Sequence, residues 1–169
     1  MKNLDLEKPQ GLEIKFLFGT KFDVEYMNIE ELDTNIDGAP KYFKAEDTGN
    51  KNLLLYCAAS KVLTLKVGAP GILIRNISSR LFNGCMGNVH SLENEQVIVN
   101  FDGNLVNLER CVFEEFCPKT KTILASRIEF PIKLAYAVTV HRAQGQSIDY
   151  LEVDCFSFFA PGQMGVALG

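Results

Sequence analysis

Residues 134–145, Leu-Ala-Tyr-Ala-Val-Thr-Val-His-Arg-Ala-Gln-Gly, restrict the chain to a small set of folds. Leu134 to Val138 is an unbroken apolar run, and it closes on the β-branched residues Val138, Thr139 and Val140. Such a run reads as a buried strand, here expected over 133–140. Polar His141, Arg142 and Gln144 follow, and Gly145 stops the turn, so a short helix is expected over 140–144. A strand-to-helix junction brings backbone N–H groups, the Thr139 hydroxyl and cationic side chains to one point, as a phosphate backbone requires. A second apolar strand is expected over 151–156, and a helix over 161–168 with Pro161 near its first position. Two near-continuous apolar strands joined by a helix imply a parallel sheet buried on both faces.

The middle of the chain follows a different period. From Val62 onward apolar residues alternate, with Leu63, Leu65 and Val67 on one face. Further strands are expected over 71–77, 88–92 and 96–101, and Asp102-Gly103-Asn104 is a hairpin turn into 105–108. Short strands at this spacing, with little helical period between them, suggest a small barrel. Upstream the signal is weaker. Ile14 to Phe18 is an apolar burst without clear pattern, and 22–32 fits a strand or a short helix. Residues 35–40 form a turn cluster, 42–45 a short strand and 47–52 a loop. The expected organisation is α/β: 1–61 begins one domain, 62–130 is inserted, and 131–169 returns to the first domain.

The net charge of −4 argues against nucleic-acid binding, but its distribution argues for it. Residues 51–92 hold five cations, Lys51, Lys61, Lys66, Arg75 and Arg80, and no acid. That segment is a candidate anion-facing surface or, equally, a solvated face. Five cysteines, without paired C-x-x-C spacing and with only two histidines, give no zinc pattern. They are expected to be free, buried thiols of a reducing compartment. No apolar run has the length of a membrane span and the N-terminus lacks a signal-peptide core, so a soluble, intracellular protein without membrane contact is expected.

Three blocks carry a resemblance. Ala135 to Gly145 resembles motif V of the Pif and RecD-type DNA helicases, Ala-x-Ala-Leu-Thr-Val-His-Lys/Arg-Ser/Ala-Gln-Gly, with Val138 in place of Leu. Leu63-Thr-Leu-Lys-Val-Gly-Ala-Pro-Gly-Ile-Leu-Ile-Arg-Asn76 with Leu81-Phe-Asn-Gly-Cys-Met-Gly-Asn-Val89 resembles a second family block. Phe159 to Leu168 is similar to the start of motif VI, with Gly165 in place of the usual Tyr. The resemblance covers about residues 22–169 and implies part of a RecA-like domain carrying an inserted SH3-like β-barrel. No G-x-x-x-x-G-K-[ST] phosphate loop occurs, and Leu151-Glu-Val-Asp-Cys155 lacks the paired acids of a Walker B strand. Gly169 stands where the family places a Ser before its finger Arg. The chain is therefore expected to be the C-terminal part of a helicase core, cut short at both ends and unable to hydrolyse ATP alone.

The resemblance also implies roles. Thr139, His141 and Arg142 would touch the backbone of single-stranded DNA, Thr139 through its hydroxyl and His141 through a ring N–H. Gln144 and Gly145 would face the nucleotide, with Gln163 close to the same cleft. Lys66 and Arg75 join the DNA set through the acid-free segment. Each has a plainer reading: His141 as a helix cap, Arg142 as a solvated charge, Lys66 and Arg75 as strand residues with snorkelling stems. The complete enzyme would use ATP and Mg2+, need the N-terminal helicase half as partner, and work in the nucleus or mitochondrion. The alternative is a non-enzymatic remnant acting as a nucleic-acid or protein interaction module.

Overall fold

The computed structural model describes residues 15–18, 21–93, 95–139 and 151–153. In chain order the elements are β1 (Lys15–Phe18), α1 (Lys21–Asn35), β2 (Lys41–Lys44), β3 (Glu46–Gly49) and a short 3-10 helix (Leu53–Tyr56). They continue with β4 (Val62–Leu65), β5 (Pro70–Leu73), β6 (Met86–Ser91), β7 (Val97–Phe101) and β8 (Asn104–Leu108). The last are β9 (Cys111–Cys117), β10 (Thr122–Glu129), β11 (Ile132–Leu134), β12 (Ala137–Thr139) and β13 (Leu151–Val153). The chain divides into two units: Met1–Ile29 with Tyr136–Gly169, and Glu30–Ala135. The expected helices over 140–144 and 161–168 lie outside the described residues.

In the first unit β1 is the middle strand of a three-stranded parallel sheet, ordered β12-β1-β13. The patternless burst before Phe18 is thus the strand on which both neighbours pair. The ambiguous stretch after it is a helix. Asp23 in the first turn complements the helix dipole, and Glu25, Met27, Glu30, Glu31 and Leu32 all favour helix. The helix stops before Gly38, whose φ of 104° the helix cannot accommodate. Its apolar pattern does not follow burial. Phe22, Tyr26 and Ile29 are exposed, whereas Asn28 and Leu32, one turn apart, are buried.

The second unit is antiparallel. β4 alternates as its sequence predicts, with Leu63 and Leu65 buried and Val62 exposed, and it pairs with β2. β7 buries Val97, Val99 and Phe101. Between β7 and β8 the chain turns through Asp102 and Gly103 at φ 48° and 86°, the two positive values that a type I′ hairpin demands. Phe43 and Phe130 meet edge to face at 5.2 Å in the core. The strands do not close into the barrel suggested by their spacing. The order β11-β5-β6-β7-β8 is open at both edges among the described residues. After Leu108 the chain leaves that sheet until β11; β9 and β10 form a long hairpin that pairs with β3. The strand expected over 133–140 also splits. β11 runs antiparallel to β5 in the second unit, and β12 joins the parallel sheet of the first.

The β3–β10 pairing carries a charged centre. The Arg127 guanidinium donates through Nε to Asp47 Oδ1 at 2.7 Å and through Nη2 to Oδ2 at 2.8 Å. Its third bond goes to the Ala59 carbonyl at 2.8 Å. This fork satisfies buried Arg127 and half-buried Asp47 at once, as bidentate Arg–carboxylate geometry allows. The hydrogen bond from Arg127 holds the Asp47 carboxyl below the ordinary carboxylate range. Glu129, on the same strand, is driven the other way: burial raises it, although Phe130 N–H donates to it at 2.8 Å and Arg110 lies at 3.3 Å. A lowered Asp47 contributes stability above its unfolded value and loses it as pH falls through the folded one. A raised Glu129 acts oppositely, costing stability as pH rises from the ordinary value through the raised one. Asp47→Asn should cost about 3 kcal/mol near neutral pH, because Arg127 would remain buried without its counter-charge. Urea unfolding of both proteins at about pH 7 and about pH 3 checks this: the difference should shrink in acid, and a difference constant with pH would contradict it.

Candidate nucleic-acid interface

Register brings the strand ends of the first unit to one level. Phe18 lies beside Thr139, and Leu17 beside Val153. All three strands run the same way, so all three leave the sheet at one edge. Ligands of open parallel sheets bind at this carboxyl edge, where the following loops and helix starts converge. From β1 the chain passes within two residues into α1. From β12 it passes into 140–150, outside the described residues. Thr139 is the last residue of β12 and is half-buried.

One side chain fixes the strand that ends at Thr139. Asn28 of α1 donates from Nδ2 to the Ala137 carbonyl at 3.0 Å, and Ala137 N–H donates to Asn28 Oδ1 at 2.9 Å. Among the described residues β12 is an edge strand, so these outward peptide groups have no strand beside them. The carboxamide supplies one donor and one acceptor where a neighbouring strand would. Asn is a poor residue for a helix interior, and at a buried position it must satisfy both of its polar atoms. Here it does. Sequence periodicity does not mark this residue, because it is polar on a helix whose residues Phe22, Tyr26 and Ile29 are exposed. The available clue was an Asn spaced one turn before buried Leu32.

The other expected site residues fall into three groups. His141, Arg142, Gln144, Gly145 and Gln163 lie outside the described residues. Lys66 and Arg75 are in the second unit, whereas Thr139 is in the first. Lys66 does not face out as expected. It is buried, its Nζ lies 3.3 Å from Asp33 and it donates to the Ile36 carbonyl at 3.0 Å. Arg75 is exposed, but its guanidinium donates to the Val112 carbonyl and sits 5.6 Å from the Phe113 ring. The acid-free segment is thus not acid-free in space. Asp33 answers Lys66, and Asp47 feels both Lys51 and Lys61. Arg80 is exposed.

No cluster of His, Cys, Asp or Glu among the described residues could hold a metal. Cys57, Cys85, Cys111 and Cys117 are free, but half-buried rather than sequestered. At Cys117 hydrogen bonding to Thr120 lowers the thiol. No described helix is long and apolar enough to cross a membrane.

Comparison with known proteins gives this geometry its context. The family model "DNA helicase Pif1, 2B domain" matches residues 50–92. Mouse ATP-dependent DNA helicase PIF1 is 33% identical over 134 residues, covering 70% of this chain and 19% of the mouse protein. The crystal structure of Pif1 helicase from Candida albicans superposes with a TM-score of 0.84 at 30% identity, over 95% of this chain and 43% of that one. Pif1 helicase from Bacteroides in complex with ADP-AlF3 and ssDNA gives 0.80 at 26% identity, over 99% of this chain and 40% of that one. By sequence and fold the chain therefore belongs with the Pif1-type helicase family, and it spans 19% to 26% of the length of the first curated relatives it matches.

The environment of Lys66 generates a prediction. Lys66→Gln should lower stability by about 1 kcal/mol through the lost bond to Ile36, since Asp33 is largely exposed and its ion pair weak. Affinity for single-stranded DNA, measured by fluorescence anisotropy on the folded protein, should be unchanged. A loss of affinity without loss of stability would return Lys66 to the contact surface.

Proposed function

We propose that this chain supplies the grip on single-stranded DNA, and its coupling to the nucleotide cleft, in a Pif1-type ATP-dependent DNA helicase. The observation that carries the reading is the shared carboxyl edge of β1, β12 and β13, with Thr139 at the tip of β12 and the His141-Arg142 pair one residue beyond it in sequence. The likeness to a Bacteroides Pif1 structure containing ssDNA and ADP-AlF3, over almost all of this chain, supports it. On this reading the parallel strands are a piece of a RecA-like sheet. Residues 62–130 correspond to the family's SH3-like insertion, matched in part by the 2B model.

Thr139, His141 and Arg142 contact the DNA backbone, and exposed Arg75 adds a peripheral cation. Gln144, Gly145 and Gln163 face the nucleotide side. Lys66 is withdrawn from the contact set because its ammonium is buried against Asp33 and Ile36. The described residues offer Mg2+ no ligand set and the sequence has no phosphate loop, so no step of ATP chemistry is assigned to this chain. What these residues do is hold a phosphate: a hydroxyl, a ring N–H and a guanidinium donate to one anion, while backbone N–H groups at the strand end orient it. The enzyme would act in the nucleus or mitochondrion.

Backbone contacts make two measurable demands. Binding to oligo-dT should weaken with salt, each neutralised phosphate adding about −0.7 to the log–log slope, and should depend little on base sequence. Thr139→Val and His141→Ala should each cost on the order of 1 kcal/mol of that affinity. In a complete core Gln144→Ala should keep DNA binding and reduce DNA-stimulated ATP turnover. Anisotropy titrations at two salt concentrations decide the first two points; salt-independent binding, or strong preference for one base sequence, would overturn the backbone-contact reading.

A further inference from the structure

We infer that Asn28 is a positioning residue for the DNA-binding segment, holding the end of β12 in the register that presents Thr139. The inference rests on the functional reading above and adds to it a residue far away in sequence. Asn28 and Ala137 are 109 residues apart. Both peptide groups of Ala137 are engaged by one carboxamide, at 3.0 Å and 2.9 Å, and all partners are buried. Strand side chains alternate, so Ala137 and Thr139 project to the same face, with the anchor two residues before the proposed contact. A strand slip of one residue would send Thr139 to the opposite face. The carboxamide opposes that slip because both of its bonds to Ala137 would have to break at once.

Asp, the replacement nearest in shape, lacks this donor–acceptor pair when ionised and reproduces it when protonated. Asp at position 28 presents two acceptors when ionised, and one of them faces the Ala137 carbonyl. Once protonated, its O–H donates to that carbonyl while its C=O accepts the Ala137 N–H, restoring the original pattern. Burial at this position favours the protonated form. Asn28→Asp is therefore a variant that mild acid rescues, whereas Asn28→Ala is not.

The experiment compares wild type, Asn28→Asp and Asn28→Ala as full chains from about pH 8 to about pH 5.5, under conditions where circular dichroism shows each folded. Hydrogen exchange of the Ala137 amide and affinity for fluorescein-labelled oligo-dT are both read. Near pH 8, Asn28→Asp should bind oligo-dT roughly tenfold more weakly than wild type and lose protection at Ala137 by a similar factor. Toward pH 5.5 both should recover, after subtraction of the wild-type profile, which removes pH effects common to the two proteins. Asn28→Ala should stay weak throughout. Parallel pH profiles for Asn28→Asp and Asn28→Ala would overturn the inference. Recovery at Ala137 without recovery of DNA affinity would also overturn it, reducing Asn28 to a structural contact. Failure of the wild-type chain to bind oligo-dT at low salt is a different result: it sinks the functional reading, and the positioning role with it.

Discussion

The pairing of β1 with β12 is the constraint on which the rest depends. Lys15–Phe18 is a short strand, yet both other strands of the parallel sheet are built on it. Its partners come from the far end of the chain, so the sheet forms only when the whole second unit has been looped out. Closing a loop of this length costs about 4 kcal/mol in chain entropy. The two hydrogen bonds of Asn28 return about 1 kcal/mol each, too little to close the loop alone. The sheet's own ladder and buried Ala137 and Val138 must do most of that work. Asn28 then decides a smaller matter, which register the assembled strand keeps.

The second unit is stabilised by itself. Its antiparallel sheets bury Leu63, Leu65, Val97 and Val99, and the Asp47–Arg127 fork joins β3 to β10 across the chain. That self-sufficiency matters for function. A long insertion is tolerated in a parallel sheet when it folds on its own contacts and leaves the host strands free to pair. It also explains why its cations are poor evidence for a binding surface. Lys66 neutralises Asp33, and Lys51 and Lys61 lie within the field of Asp47. The charge imbalance of residues 51–92 is a property of the linear chain that folding offsets at Lys66.

What was legible in the sequence follows from how local each signal is. The strand at 62–65 and the Asp102-Gly103 turn depend on two-residue periodicity and on positive φ, both local, and both stand where expected. β1 was not legible because a strand of four residues carries too short a pattern, and its identity comes from partners far along the chain. α1 was ambiguous because Phe22, Tyr26 and Ile29 are exposed while Asn28 is buried, against the usual amphipathic rule. The β9–β10 hairpin escaped because exposed Phe116, Ile123 and Leu124 break the inside–outside alternation. The closed barrel was a count of strands, and strand count does not specify which edges meet. Of the site, Thr139 at a strand end was read from sequence, whereas the pairing of Lys66 and the clamp from Asn28 required the fold.

The central claim is that the carboxyl edge of the parallel sheet is where this chain meets nucleic acid. Amide chemical-shift mapping of the isotopically labelled chain, titrated with oligo-dT at low salt, tests it most directly. The account predicts that the largest changes fall at Phe18, Thr139 and the residues immediately after Thr139, with smaller changes around Arg75. Changes confined to the second unit, with Phe18 and Thr139 unmoved at saturation, would contradict it.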